Sequence, residues 1–243
     1  MAGRLIVALD VPDVAAARAL AARLDGVVSF YKIGLWLFFA PGVDALIDDL
    51  VASGRQVFLD YKMYDIGETV RRGVAAAARR GIRMLTVHGD PAIMRAAVEG
   101  RGSSGLQVFA ISVLTSQDDA ALREMGYDRT VQDLIALRVR SAAACGCDGV
   151  IASASDDPDA LRALAGSEAL LVTTPGIRLA GQALDDQKRA ATPDAAIERG
   201  ADYLVVGRPI TRADDPRGQA ERIIAAMERG WQRRATVPGR AAL

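Results

Sequence analysis

Eight short apolar runs, each followed by a longer stretch of helical period, constrain this chain more than any other feature. The runs are Leu5–Leu9, Ser29–Ile33, Gln56–Tyr61, Met84–His88, Gln107–Val113, Gly149–Ser153, Leu170–Thr174 and Tyr203–Gly207. Helical patterns follow at about residues 13–24, 41–53, 66–80, 91–99, 129–145, 157–165, 192–199 and 217–229. Strand alternating with helix implies parallel strands joined by crossovers, and near-continuous apolar strands imply burial on both faces. Eight such units in 243 residues fit the arithmetic of an α/β chain closed into a (β/α)8 TIM barrel, with an open doubly wound sheet as the alternative. No Pro/Gly/Ser-rich linker or charge block divides the chain. Residues 1–243 therefore read as a single domain, with a solvated tail over 230–243 that carries Arg233, Arg234 and Arg240.

Several function classes drop out early. Formal charge sums to zero, which removes any electrostatic reason to expect nucleic acid or an anionic membrane as partner. No apolar run approaches a membrane span, and the start of the chain lacks a signal-type segment, so the expected compartment is cytoplasmic. Cys145 and Cys147 lack the second pair that makes a zinc spacing convincing, and two thiols packed near a helix end is the simpler reading. His88 is the lone histidine, which excludes a multi-histidine metal site; it reads as a wall or supporting group. Gly100-Arg-Gly-Ser-Ser-Gly105 matches a dinucleotide fingerprint, but it precedes a strand instead of following one, so it is rejected.

In a barrel the C-terminal strand ends line the active site. Here those ends carry Asp10, Lys32, Asp60, Lys62, His88, Thr115, Ser116, the segment Thr174-Pro-Gly-Ile-Arg178, Gly207 and Arg208. The sharpest piece is Asp60-Tyr-Lys62-Met-Tyr-Asp65-Ile-Gly-Glu-Thr69. Asp60 and Lys62 are two apart and so share one face of a strand. A surface ion pair is the bland alternative, and Asp65 with Glu68 has the spacing of a helix capping box. Two facts weigh against it. The pair ends a strand as apolar as Val57, Phe58 and Leu59, and only Lys32, Lys62 and Lys188 of thirty basic residues are lysines. A lysine donates a proton at neutral pH and an arginine does not, so a lysine retained in such a chain points to chemistry.

The pattern D-x-K-x-x-D-I-x-x-T at the end of a third strand resembles the catalytic segment of the orotidine 5′-phosphate decarboxylase family. Further segments resemble the family in order along residues 5 to 212. They are Leu9-Asp10, Tyr31-Lys32-Ile-Gly34, Val113-Leu-Thr-Ser116, Thr174-Pro-Gly-Ile-Arg178, Asp186-Gln187-Lys-Arg189 and Val206-Gly-Arg-Pro-Ile-Thr211. The chain departs where the family usually has Pro-Asn and this sequence has Gly67-Glu68, and where a His is common but Tyr64 stands.

The resemblance implies decarboxylation of orotidine 5′-monophosphate to UMP and CO₂ without a cofactor or metal. It also implies a Lys32–Asp60–Lys62–Asp65 network, with Lys62 stabilising and then protonating the C6 carbanion. Asp10 and Thr69 would hold ribose hydroxyls, and Thr115 with Ser116 would meet the pyrimidine edge. Gly207, Arg208, Arg178 and Gln187 would bind the phosphate. A homodimer with shared active sites is implied, in which Asp65 and Thr69 serve the neighbouring chain. The rivals are a sugar-phosphate decarboxylase or aldolase using Mg²⁺ at the same segment, and a phosphate-binding barrel without chemistry.

Overall fold

A parallel strand that buries both faces needs a helix to carry the chain back outside the sheet, and the chain repeats this eight times. The computed structural model describes residues 1–153, 155–179 and 191–236. In order these hold β1 (Leu5–Ala8), α1 (Val14–Arg23), β2 (Phe30–Gly34), α2 (Leu35–Phe38), α3 (Val43–Ala52), β3 (Gln56–Met63) and α4 (Gly67–Arg79). Then come β4 (Met84–Val87), α5 (Pro91–Arg101), β5 (Gln107–Ile111), α6 (Asp119–Glu124), α7 (Val131–Cys145), β6 (Gly149–Ile151) and α8 (Pro158–Ala165). The last are β7 (Leu171–Thr174), α9 (Pro193–Glu198), β8 (Tyr203–Val206), α10 (Arg208–Thr211) and α11 (Pro216–Ala235). All neighbouring strands pair in parallel, and β1 pairs with β8 in the register Leu5↔Leu204, so the sheet closes and the open alternative is excluded.

The two-residue strand period sorts side chains between the inside and outside of the barrel. Ile6, Ala8, Phe30, Phe58, Met84, Phe109 and Val205 form an inner apolar plug. Their neighbours Leu5, Val7, Tyr31, Val57, Leu59 and Leu85 belong to the larger core shared with the helices. Two residues further along each inward row stand Asp10 after Ala8, Lys32 after Phe30, Asp60 after Phe58 and Thr86 after Met84. Polar groups therefore rest on an apolar floor at the C-terminal mouth. Several helices begin where a side chain satisfies the first N–H groups: Asp13, Asp90, Thr130, Asp157 and Asp215 accept from their first turns.

The structure adds to the sequence reading and changes it. α2, α6 and α10 lie in segments to which no helical pattern was assigned, since helices of four to six residues are too short to show a period. The tail does not begin at Gly230: α11 continues to Ala235 with Gly230 and Arg234 buried. A Cβ on Gly230 would come within 2.2 Å of the Asp194 carbonyl oxygen, so the glycine lets α11 lie directly against α9. Arg234 Nη2 donates to Asp159 Oδ1 at 3.1 Å, and Arg233 pairs with Asp194 and Glu198. The segment Gly100–Gly105 closes α5 and leads into β5, as its rejection required. A Cβ on Gly100 would strike the Arg71 carbonyl oxygen at 2.3 Å, so this glycine serves the close crossing of α4 and α5. No helix of the described residues is long and apolar enough to cross a membrane.

Candidate active site

Barrel closure brings the strand ends together into a run of alternating charge. Lys32 Nζ donates to Asp10 Oδ1 at 3.2 Å and lies 3.6 Å from Asp60 Oδ2. Lys62 Nζ donates to the other Asp60 oxygen, Oδ1, at 2.8 Å. Asp60 is thus held between two ammonium groups. Burial by itself would raise the Asp60 carboxyl, but the charges of Lys32 and Lys62 and hydrogen bonds from Lys62 and Thr86 outweigh it. The result lies below the ordinary value of 3.8. A carboxylate fixed in this way holds both ammonium groups in place before any ligand arrives.

This row opens into a cavity of about 660 Å³ at the C-terminal mouth, large enough for a nucleotide-sized ligand. Asp10, Lys32, Asp60 and Lys62 line it, and so do the expected Thr115, Arg178, Gly207 and Arg208. Arg178 is buried, and its Nη1 donates to the Ile177 carbonyl at 2.9 Å. Thr115 is half-buried, whereas Ser116 is exposed and is not part of the lining. Gln187, Asp186, Lys188 and Arg189 lie outside the described residues.

Asp65 and Thr69 behave differently. Both are exposed, and neither lines the cavity. Among the described residues Asp65 makes no ion pair with Lys32 or Lys62, whose carboxylate partners are Asp10 and Asp60. The Asp65–Glu68 capping box does not form. Asp65 accepts from the Ile66 N–H at 2.7 Å, and Glu68 turns to Arg71 and Arg72. The extra negative charge of Glu68 is therefore taken up within its own helix.

His88 stands beside this floor without joining the ion pairs. Its ring lies 4.3 Å from that of Tyr64, and its Nε2 faces Arg138 Nη2 at 3.2 Å. A guanidinium only donates, so Nε2 accepts and the ring proton sits on Nδ1. Burial first, then the Arg138 charge, push His88 below its usual 6.5, favouring the neutral ring. Cys147 is buried, and that burial pushes its thiol up to about 12. Among the described residues no group of three or more His, Cys, Asp or Glu could hold a metal ion.

One residue of this constellation escaped the sequence reading. Thr86, wholly buried on β4, donates to Asp60 Oδ1 at 3.0 Å and accepts from the Lys62 backbone N–H at 2.9 Å. A signal existed, since Thr86 is a polar residue on the inward row of a strand otherwise made of Met84, Leu85 and Val87.

Comparison with known proteins agrees with this geometry. Residues 3–223 match the model of the Orotidine 5'-phosphate decarboxylase / HUMPS family. The chain is 53% identical over 224 residues to an orotidine 5'-phosphate decarboxylase of Afipia carboxidovorans, covering 92% of this chain and 94% of that one. It is 49% identical over 226 residues to one of Caulobacter vibrioides, covering 92% and 97%. The crystal structure of an orotidine 5'-phosphate decarboxylase from Lactobacillus acidophilus superposes with a TM-score of 0.80 at 33% identity, covering 93% of this chain and 99% of that one. With a family match over nearly its whole length, charged residues on the strand ends and a closed barrel beneath them, the chain belongs to the Orotidine 5'-phosphate decarboxylase / HUMPS family.

Proposed function

We propose that this protein decarboxylates orotidine 5′-monophosphate to UMP, with Lys62 as the acid. It is a carboxy-lyase of pyrimidine nucleotide synthesis. Breaking the C6–carboxylate bond leaves an electron pair in the ring plane, where ring resonance cannot spread it. Such charge is best met by a cation already in place. The observation that carries the reading is the Lys62 ammonium held 2.8 Å from Asp60 at the mouth of a cavity of nucleotide size. CO₂ leaves, the pair remains on C6, and the Lys62 ammonium passes a proton to that carbon. The neutral amine then recovers its proton from water.

The assigned roles follow the lining. Asp60 faces the departing carboxylate and Lys32 anchors Asp60. Asp10 meets a ribose hydroxyl and Thr115 the pyrimidine edge. The Gly207 backbone and the Arg208 and Arg178 side chains take the phosphate, with Gln187 assigned to the same role. Loss of the ultraviolet absorbance of orotidine monophosphate on EDTA-treated protein tests the reading. Metal-independent turnover is expected; absorbance that stays constant overturns it, and loss only with added Mg²⁺ favours the sugar-phosphate type of site.

The active unit in this reading is a homodimer in which Asp65 and Thr69 complete the neighbouring chain's site. Both are exposed and stand off their own cavity. The segments that follow β2 and β3 expose large apolar groups: Trp36 is 61% exposed, Phe39 79%, Tyr64 67% and Ile66 72%. So many large exposed apolar groups on one rim suit a buried protein contact better than water. A second copy, bringing its own Asp65 toward Lys62, would both cover the rim and complete the alternation of charge. Free thiols at Cys145 and Cys147 and a role in nucleotide synthesis support a cytoplasmic setting.

A further inference from the structure

β3 does not end as a regular strand. Leu59 pairs with Leu85 and Met63 with Val87, so four steps along β3 oppose two along β4. The extra length forms a bulge that frees the chain from the ladder where Asp60 and Lys62 must project. Lys62 has φ +49°, alone among the described non-glycine residues in taking a positive φ. A side chain in that region is strained, so something nearby has to hold it there.

Thr86 supplies the hold. Freed from the regular ladder, the Lys62 N–H donates to Thr86 Oγ1 at 2.9 Å. That hydroxyl has one proton, and it goes to Asp60 Oδ1 at 3.0 Å, the same oxygen that receives Lys62 Nζ at 2.8 Å. The directions are forced, because an N–H only donates and a carboxylate only accepts. Thr86 is wholly buried and does not line the cavity, so no water competes for the hydroxyl. One hydroxyl on β4 thus fixes both the backbone that carries the lysine and the carboxylate on which its ammonium rests.

We propose that Thr86 is a positioning residue for the decarboxylation, locking the strained Lys62 turn and the Asp60 carboxylate into one geometry. The inference rests on the reading of Lys62 as the acid. Thr86 acts on kcat through these two residues, while the groups that grip ribose and phosphate are untouched.

The test compares Thr86→Val, which keeps the shape and removes the hydroxyl, with Thr86→Ser, which keeps the hydroxyl. Thr86→Val is expected to lower kcat by about a hundredfold with KM within about threefold, the usual cost of a misplaced reacting group. Thr86→Ser is expected to stay within about threefold of the parent, since the hydroxyl alone is the working part. The acidic limb of the kcat/KM profile should move to higher pH in Thr86→Val, because Asp60 loses a donor that stabilises its charged form. Should Thr86→Val melt below the assay temperature, Thr86→Ala takes its place under the same criteria.

A parent-like kcat in the variant without the hydroxyl, or an equal loss in Thr86→Ser, overturns the inference. Lys62→Ala in the same assay separates the two levels. If it is inactive while Thr86→Val is unimpaired, only the role of Thr86 fails; if it still turns over, both readings fail.

Discussion

Gly34 lies beneath Lys32 so closely that a Cβ atom on it would come within 2.8 Å of Lys32 Nζ and 3.3 Å of Asp10 Oδ1. The obstructed atom is the end of a flexible side chain, so the fold can absorb a methyl group where the ion pair cannot. We expect Gly34→Ala to shift Tm by no more than about 2–4 °C, the equivalent of roughly 1 kcal/mol in a chain of this length. Turnover should fall by about tenfold to a hundredfold as Lys32 and Asp60 lose register. A variant with both parent-like stability and parent-like kcat would show that Lys32 tolerates displacement.

Lys62→Arg keeps the charge and should still abolish turnover. Guanidinium does not give up a proton at neutral pH, and its planar fork does not fit the place of an ammonium held 2.8 Å from Asp60. Loss of a general acid commonly costs about 10²–10⁴-fold, so residual kcat should lie at or below that range. A kcat near the parent's would remove Lys62 as proton donor.

Arg208→Ala should raise KM and lower kcat together. Arg208 lines the cavity on the rim beyond β8, away from the Asp60–Lys62 pair, and a remote phosphate contact can contribute energy at the reacting carbon. Steady-state kinetics decide this: a kcat/KM within a few-fold of the parent would make Arg208 a structural rim residue.

Mixing inactive Lys62→Ala and Asp65→Ala chains after dissociation should restore activity. In a mixed dimer with shared sites, one site carries both defects and the other neither. Random reassortment at equal amounts makes half the dimers mixed, so about a quarter of all sites should recover. Mixed dimers that form but stay inactive would place Asp65 in its own chain's site.

The single histidine makes one pH prediction clean, because an NMR titration has one imidazole to follow. Burial and Arg138 hold His88 below 6.5, so its midpoint should fall under that value, and Arg138→Met should move it up. The native state resists a proton that the unfolded chain accepts. Stability from this group is therefore complete above about 6.5, declines as pH falls through it, and levels off below the folded midpoint. A midpoint above 6.5 would contradict the environment seen around the ring.

Much of this protein is legible in its order of residues, because the information is local. Near-continuous apolar runs separated by helical stretches specify eight β/α units, and parallel strands put their C-terminal ends on one rim. That was enough to bring Asp10, Lys32, Asp60, Lys62, Thr115, Arg178, Gly207 and Arg208 to one cavity. Spacing also anticipated that Asp60 and Lys62 would meet, though it assumed a regular strand, and the contact is in fact made across a bulge with Lys62 at φ +49°. Thr86 reaching Asp60, Gly34 leaving room for Lys32, and Arg138 facing His88 were not legible. Nor were α2, α6 and α10, or the burial of Arg234 on α11. Lys32 meets Asp10 and Thr86 meets Asp60 across 22 and 26 positions through the register of neighbouring strands, and Arg138 meets His88 across 50 positions because α7 packs on the closed barrel. A repeat pattern says which face a side chain takes, but only closure with its register says which partner it finds there.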